Sequence, residues 1–250
     1  MQYSGDTAVV QEWHVYFFGG YELAEVAAIK DILGLMKAPI VFDIGANLGG
    51  HAFPMASLAE EVHAFEPYGP LAARIADQAA ENKINNIHLH QYGLGQRSDM
   101  LTYYFDKESN NSGTGSFKAD HTGADGVAQL EIRKGDDCEL PAPGFVKIDV
   151  EGFEAPALQG LARTLSAATP VIMMEVTESS WETFKEYGGL SGVLDYDYVI
   201  YKICQPKPII GLFQNRTYRL ERIEEIIPRS TSFNVLIVPA DRASLVERLP

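Results

Sequence analysis

Val41-Phe42-Asp43-Ile44-Gly45-Ala46-Asn47-Leu48-Gly49-Gly50 is the stretch on which the reading of this chain turns. Residues 40–44 are apolar apart from Asp43 and predict a short buried strand. Gly45 opens a tight turn, and a helix is predicted over 48–59. Val62-His63-Ala64-Phe65-Glu66-Pro67 follows, a second strand over 61–65 that ends on an acid. Strand, glycine turn, helix, strand and acid form the first unit of a nucleotide-binding α/β fold.

The turn discriminates between cofactors. A dinucleotide site needs G-x-G-x-x-G so that backbone can approach a pyrophosphate. Here the run from Gly45 is G-A-N-L-G-G, and Asn47 stands where the second glycine is required. The remaining pattern, D-x-G-x-N-x-G, resembles motif I of the class I S-adenosyl-L-methionine (SAM) methyltransferases. That resemblance implies that the amino-acid end of SAM lies beside the glycine turn and that Glu66 holds the ribose hydroxyls. The plain alternative is an ordinary strand-to-helix turn in some other α/β protein.

Charge and composition bound the partners. The chain has 250 residues, 46% of them hydrophobic, enough for one α/β domain with a large core. No long Pro/Ser linker and no internal repeat divides it, so residues 1–250 read as a single domain. Net charge is −14, with the basic residues scattered rather than clustered. Such a field repels nucleic acid and anionic membrane surfaces, and neither is expected as a partner. Cys138 and Cys204 lack metal-ligand spacing and read as free thiols in a reducing compartment. Residues 1–10 carry Asp6 and no basic-then-apolar signal, and no apolar run approaches the ~20 residues of a membrane span. A soluble cytoplasmic protein is the simplest expectation.

Outward from the opening motif, residues 1–20 are rich in aromatics (Trp13, Tyr16, Phe17, Phe18) and read as a hairpin or a cover over the site. Helical spacing of Leu23, Val26, Ala27, Ile29 and Leu33 predicts a helix within 21–36. A helix over 70–82 and a strand over 87–92 come next. The helix expected before strand four is replaced by two strand-like runs, 100–105 and 127–133, which predict a β-hairpin insert within 96–143. Its polar, glycine-rich middle, including Asn110 to Ser116 and His121 to Gly126, reads either as a mobile substrate lid or as a plain flexible tip. Strand four is 145–150, followed by a helix over 153–167. Strands over 171–177, 198–203 and 233–238 complete a doubly wound, mostly parallel seven-stranded sheet, and the long connection 204–231 would let the last strand insert antiparallel.

Three motifs together resemble the FkbM-type family of SAM-dependent methyltransferases: Phe42-Asp43-Ile44-Gly45-Ala46-Asn47-Leu48-Gly49, Phe65-Glu66-Pro67, and Val146-Lys147-Ile148-Asp149-Val150-Glu151-Gly152-Phe153-Glu154. Gly93-Leu94-Gly95 fits as well, and the likeness covers about residues 38–178. The resemblance implies a Rossmann-like sheet and transfer of a methyl group from SAM to a hydroxyl of a sugar, glycan or secondary metabolite, leaving S-adenosyl-L-homocysteine. Carried over by position, Asp43, Gly45, Ala46, Asn47 and Gly49 would line the methionine end of SAM. Glu66 and Pro67 would border the ribose, Gly93 and Leu94 the adenine, and Asp149 the reacting methyl.

An alcohol is a poor nucleophile, so a base assists by roughly 10²–10⁴-fold. Asp149 and Glu151, at the end of a central strand beside Lys147, are the candidates, and Glu175 on strand five could face the same cleft. Side chains alternate along a strand, so Asp149 and Glu151 share a side only if the strand stays regular. Glu151 and Glu154 could equally serve the positive start of the following helix. Asp149, Glu151 and Glu175 would together suit a hard cation such as Mg²⁺, but the resemblance implies no metal and none is expected. His51 could approach the site or be structural; His88 and His90 read as a strand face. Two readings outside methyl transfer stand beside this one: a non-catalytic SAM-fold assembly module, with the aromatic N-terminus supporting a homodimer, and a NAD-dependent oxidoreductase, which Asn47 disfavours.

Overall fold

In the computed structural model, residues 5, 9–105, 125–205, 216–228 and 231–250 are described. The predicted opening unit forms the middle of the sheet. Strand β1 (Ile40–Ile44) lies between β2 (Glu61–Phe65) and β7 (Phe145–Ile148) and is parallel to both. Val41, Phe42 and Ile44 are all buried because both faces of β1 are covered, which is why it reads as an apolar run rather than an alternating one. β3 (Ile87–His90) extends the sheet beyond β2 and β8 (Val171–Val176) beyond β7, again in parallel.

The far side of the sheet is mixed. β11 (Phe233–Pro239) inserts antiparallel between β8 and β9 (Tyr198–Cys204), as the long connection before it suggested. β10 (Arg219–Ile223) then pairs antiparallel with β9 at the edge. The order is β3-β2-β1-β7-β8-β11-β9-β10, eight strands rather than the seven expected. The eighth escapes notice because Arg-Leu-Glu-Arg-Ile on a largely exposed edge has no apolar run.

The insert is also more than a hairpin. β5 (Asp99–Phe105) and β6 (Gly126–Lys134) pair antiparallel as predicted, but β4 (Gly93–Gly95) adds a third, parallel strand to β6. The candidate lid at 110–116 and His121 lie outside the described residues.

Helices cover both faces. β1 divides its side chains between two cores, Val41 joining Ile29, Ile32, Met55 and Ile75, while Phe42 and Ile44 join Leu158, Leu165 and Phe184. The first group belongs to α2 (Leu23–Gly34), α3 (Ala52–Ala56) and α4 (Gly69–Glu81). The second belongs to α5 (Glu154–Gly160), α6 (Ala162–Ala168) and α7 (Glu178–Glu186). α3 is far shorter than the 48–59 predicted, since the Gly49 turn (φ 78°) occupies its expected first turn. Residues 153–167 form two helices that meet at Leu161 instead of one. α7 was not predicted; Thr177 caps it by accepting from the Ser180 N–H at 3.0 Å. At the N-terminus, α1 (Val10–Phe18) replaces the expected hairpin and leaves Tyr16 and Phe17 exposed. Among the described residues, no helix is long and apolar enough to cross a membrane, and both cysteines are free.

α5 presses against the insert sheet at a point where only glycine fits. A Cβ built on Gly160 would stand 2.0 Å from the Gly95 carbonyl oxygen, both being backbone and unable to swing aside. Gly160→Ala should therefore lower unfolding stability by about 1–3 kcal/mol, as overpacked core sites do. Gly34→Ala, where a Cβ meets nothing within 4 Å, should be no less stable than the parent; urea midpoints of the two variants decide this.

Candidate active site

The carboxyl ends of β1, β2, β7 and β8 surround a cavity of about 240 Å³, the edge at which open α/β sheets bind ligands. The turn after β1 builds one wall. Gly45 has φ 85°, and a Cβ there would lie 2.0 Å from the Asp149 carbonyl oxygen, so glycine alone lets the β1 turn pass the end of β7. The Gly45 and Ala46 N–H groups both donate to the Phe65 carbonyl, at 3.0 and 3.1 Å, tying this turn to the end of β2. Asn47 takes a left-handed conformation (φ 51°) that turns its N–H to Glu66 Oε2 at 2.9 Å. Glu66 Oε1 accepts from the Tyr68 N–H at 2.9 Å. Glu66 is thus fixed by both oxygens, each keeping a further acceptor site. Burial raises its pKa to about 7 against the pull of the two N–H bonds.

Gly45, Ala46, Asn47, Glu66, Pro67, Gly93 and Leu94, all singled out in the sequence, line this cavity. Two others do not. Asp43 lies beneath the floor, fully buried, its pKa raised to about 6 by burial and held down by Lys147. The Ala52 N–H tempers it without closing a well-formed hydrogen bond to either oxygen. Gly49 shapes the turn instead, where a Cβ would meet the Phe53 ring at 2.5 Å.

At the other end stand Asp149, Glu151 and Glu175, each offering a carboxylate oxygen within 4.8 Å of the others. Regular strand alternation does not bring them together, because β7 ends at Ile148. A turn does. Glu151 (φ 51°) and Gly152 (φ 99°) are both left-handed. Glu154 Oε1 holds the turn by accepting the Val150 and Gly152 N–H groups, each at 3.1 Å. Glu154 is therefore a structural residue, whereas Glu151 lines the cavity.

One buried ammonium governs the electrostatics here. Lys147 Nζ donates to Asp149 Oδ2 at 3.1 Å. Burial would discharge this lysine, but Asp149, Asp43 and Glu22 raise its pKa. In return, although burial works the other way, Lys147 and His51 hold the Asp149 pKa below its ordinary value. Glu151 reaches solvent, yet burial of its carboxyl, with Asp149 and Glu175 nearby, pushes its pKa up to about 8. Glu175 is raised for the same reasons. The acid trio could hold a hard cation, and the Lys147 ammonium already pairs with one Asp149 oxygen beside it.

Part of the wall carries no local sequence signal. Tyr21 and Glu22, just before α2, line the cavity more than a hundred residues before Lys147 and Asp149. Glu22 is left-handed (φ 50°) and its pKa is raised to about 8 by burial, against the pull of Lys147. His51 is buried and neutral, its pKa pushed down to about 3 by burial, with Nε2 3.6 Å from Glu22 Oε2. Tyr68, Tyr103, Leu130 and Ile132 add an apolar wall opposite, the last three from the insert sheet. A rule that apolar alternation in the insert marks a cavity face would have found Leu130 and Ile132; nothing short of the fold finds Glu22.

Known proteins match this arrangement. A profile of the Methyltransferase FkbM domain matches residues 43–220. The hexuronic acid methyltransferase AglP of Haloferax volcanii is 29% identical over 162 residues, which cover 61% of this chain and 64% of that enzyme. The chain thus spans less than two thirds of that relative. The crystal structure of methyltransferase FkbM from Methylobacillus flagellatus superposes with a TM-score of 0.53 at 17% identity, covering 80% of this chain and 44% of that one, a likeness of fold. With the glycine turn, Glu66 and the acidic strand ends in place over the matched span, the chain belongs to the FkbM methyltransferase domain family.

Proposed function

We propose that this chain moves a methyl group from SAM to a hydroxyl oxygen of a small sugar-type acceptor. The observation that carries the reading is the Glu66 carboxylate, clamped by the Asn47 and Tyr68 N–H groups while each oxygen keeps an acceptor site for one hydroxyl of a ribose diol. The rest of the cavity suits the same cofactor. Gly93 leaves a slot that a Cβ would fill, 2.7 Å from Ile132 and 3.5 Å from Pro67, beside apolar Leu94 and Leu130. The opposite end is acidic, which favours a ligand carrying positive charge. When bound, SAM supplies a methyl group already activated on a sulfonium.

The residues of the chain supply position, field and a proton acceptor. Asp149, ionised and pinned by Lys147, is a fixed negative charge and a hydrogen-bond acceptor for the substrate. Glu151 is the better base: its pKa of about 8 lies near working pH, where proton acceptance is most effective. Glu175 raises the basicity of the cluster and closes it from the β8 side. The acceptor O–H would give its proton to the Glu151 carboxylate while its oxygen takes the methyl group, the methyl–sulfur bond breaking and its electron pair staying on the sulfur of S-adenosyl-L-homocysteine. Tyr21 and Glu22 bound the acceptor end from just before α2, so that stretch and the insert strands carrying Tyr103, Leu130 and Ile132 serve the same site. The name of the Haloferax enzyme supports a sugar acceptor; the acid cluster favours a neutral hydroxyl over a carboxylate as the group that reacts.

Titration calorimetry with S-adenosyl-L-homocysteine tests the cofactor assignment. Glu66→Ala should weaken binding about 10–100-fold, the equivalent of losing hydrogen bonds to a charged group worth about 1.5–3 kcal/mol. Unchanged affinity would remove Glu66 from the site. Glu151→Gln should lower kcat by about 10²–10⁴-fold while that binding persists. The base must be ionised to work, and its pKa is raised, so kcat should climb tenfold per pH unit below about 8 and level off above it. A pH-independent kcat between pH 6 and 9 would count against Glu151.

A further inference from the structure

A second cluster of metal-type side chains lies away from the cavity, on one face of β2 and β3. Glu61 and His63 are two apart on β2 and so share a face, and His63 pairs in register with His88 on β3. Their rings stack with centroids 4.9 Å apart. Glu61 Oε2 lies 3.1 Å from His63 Nε2 and 3.8 Å from His88 Nε2, and the three ligand atoms all fall within 4.8 Å of one another. Ligand atoms about 2.0–2.1 Å from a tetrahedral Zn²⁺ stand roughly 3.3–3.4 Å apart, so small rotations of the two half-exposed side chains, Glu61 and His88, complete the geometry.

The support behind His63 is of the kind that metal-bound imidazoles use. His63 Nδ1 lies 3.0 Å from His90 Nε2, and His90 Nδ1 lies 3.2 Å from the Tyr92 hydroxyl. In the tautomer in which His90 Nδ1–H donates to Tyr92 and His63 Nδ1–H donates to His90 Nε2, His63 Nε2 presents its lone pair to a metal; in the metal-free tautomer it donates to Glu61 Oε2 at 3.1 Å. The half-exposed side of the cluster leaves room for water in the remaining positions.

We propose that Glu61 Oε2, His63 Nε2 and His88 Nε2 bind a divalent transition-metal ion of the zinc class, joining β2 to the edge strand β3. Two imidazoles and one carboxylate suit zinc and its neighbours rather than Mg²⁺ or Ca²⁺.

The test uses the full chain, stripped with a chelator and shown to be folded by circular dichroism, titrated with Zn²⁺ and, for its visible spectrum, with Co²⁺. The expected result is one Zn²⁺ per chain, a rise in Tm on loading, and loss of affinity by more than about tenfold in both His88→Gln and Glu61→Gln, since deleting a ligand exceeds the ~10–100-fold effect of an outer partner. Asp149→Asn and alkylation of the thiols should leave Zn²⁺ binding intact. Absence of binding overturns the proposal. So does binding that survives both ligand variants, or that is lost with Asp149→Asn or alkylation, because the metal would then sit on the cavity acids or on cysteine.

Discussion

The ammonium of Lys147 is the charge on which the carboxyl end of the sheet depends. It sits on β7, in register with Asp43 on β1 and two residues before Asp149, and it is 5% exposed. Without it, Asp43 would be a buried carboxylate beneath a floor of apolar side chains, and Asp149 a second one above. Deleting one partner of a buried ion pair typically costs about 3–5 kcal/mol, because the other charge is left unpaired. Lys147 also decides how the remaining acids divide their work. It keeps Asp149 ionised, and a fixed charge there pushes protons onto Glu22 and Glu151. Lys147 faces four cavity-lining acids at this end, Glu22, Asp149, Glu151 and Glu175, an acidic excess that a cationic ligand relieves.

Backbone strain is concentrated at the same place. Of the non-glycine residues with positive φ, Glu22, Asn47 and Glu151 all line the cavity. Each such residue costs of order 1–3 kcal/mol and persists only where its surroundings hold it. Here the holders are identifiable. Glu66 accepts the Asn47 N–H, and Glu154 accepts the N–H groups on either side of Glu151. The two glutamates act as braces for loops that would relax without them.

Features fixed by local chemistry were legible in the chain. The buried parallel strands are continuous apolar runs, Gly45 marks a turn that admits no side chain, and Glu66 ends the second strand. Features fixed by distant contacts were not. β10 is a polar edge whose partner, β9, supplies its order. The break at Leu161 follows from Gly160 meeting β4, a segment more than sixty residues earlier. α7 is a short, polar helix whose start depends on the Thr177–Ser180 cap rather than on an apolar stripe. Lys147 stood in plain view inside the third motif, but its burial and its pairing across to Asp43 on β1 appear only once β1 and β7 are side by side. His88 and His90 read as an ordinary strand face until parallel pairing set His88 beside His63.

The two ends of the cavity are inherited from different parts of the chain. Everything that grips the Glu66 side falls between residues 43 and 134, while Tyr21 and Glu22 come from a segment that precedes the first motif altogether. A helix pair placed upstream can change length, angle or polarity without disturbing the Gly45 turn, while a change at Glu22 resets the charge around Lys147. Evolution can thus retool that end of the cavity as a separate cassette, so that two descendants of this fold could keep the Glu66 end intact and share nothing at the other.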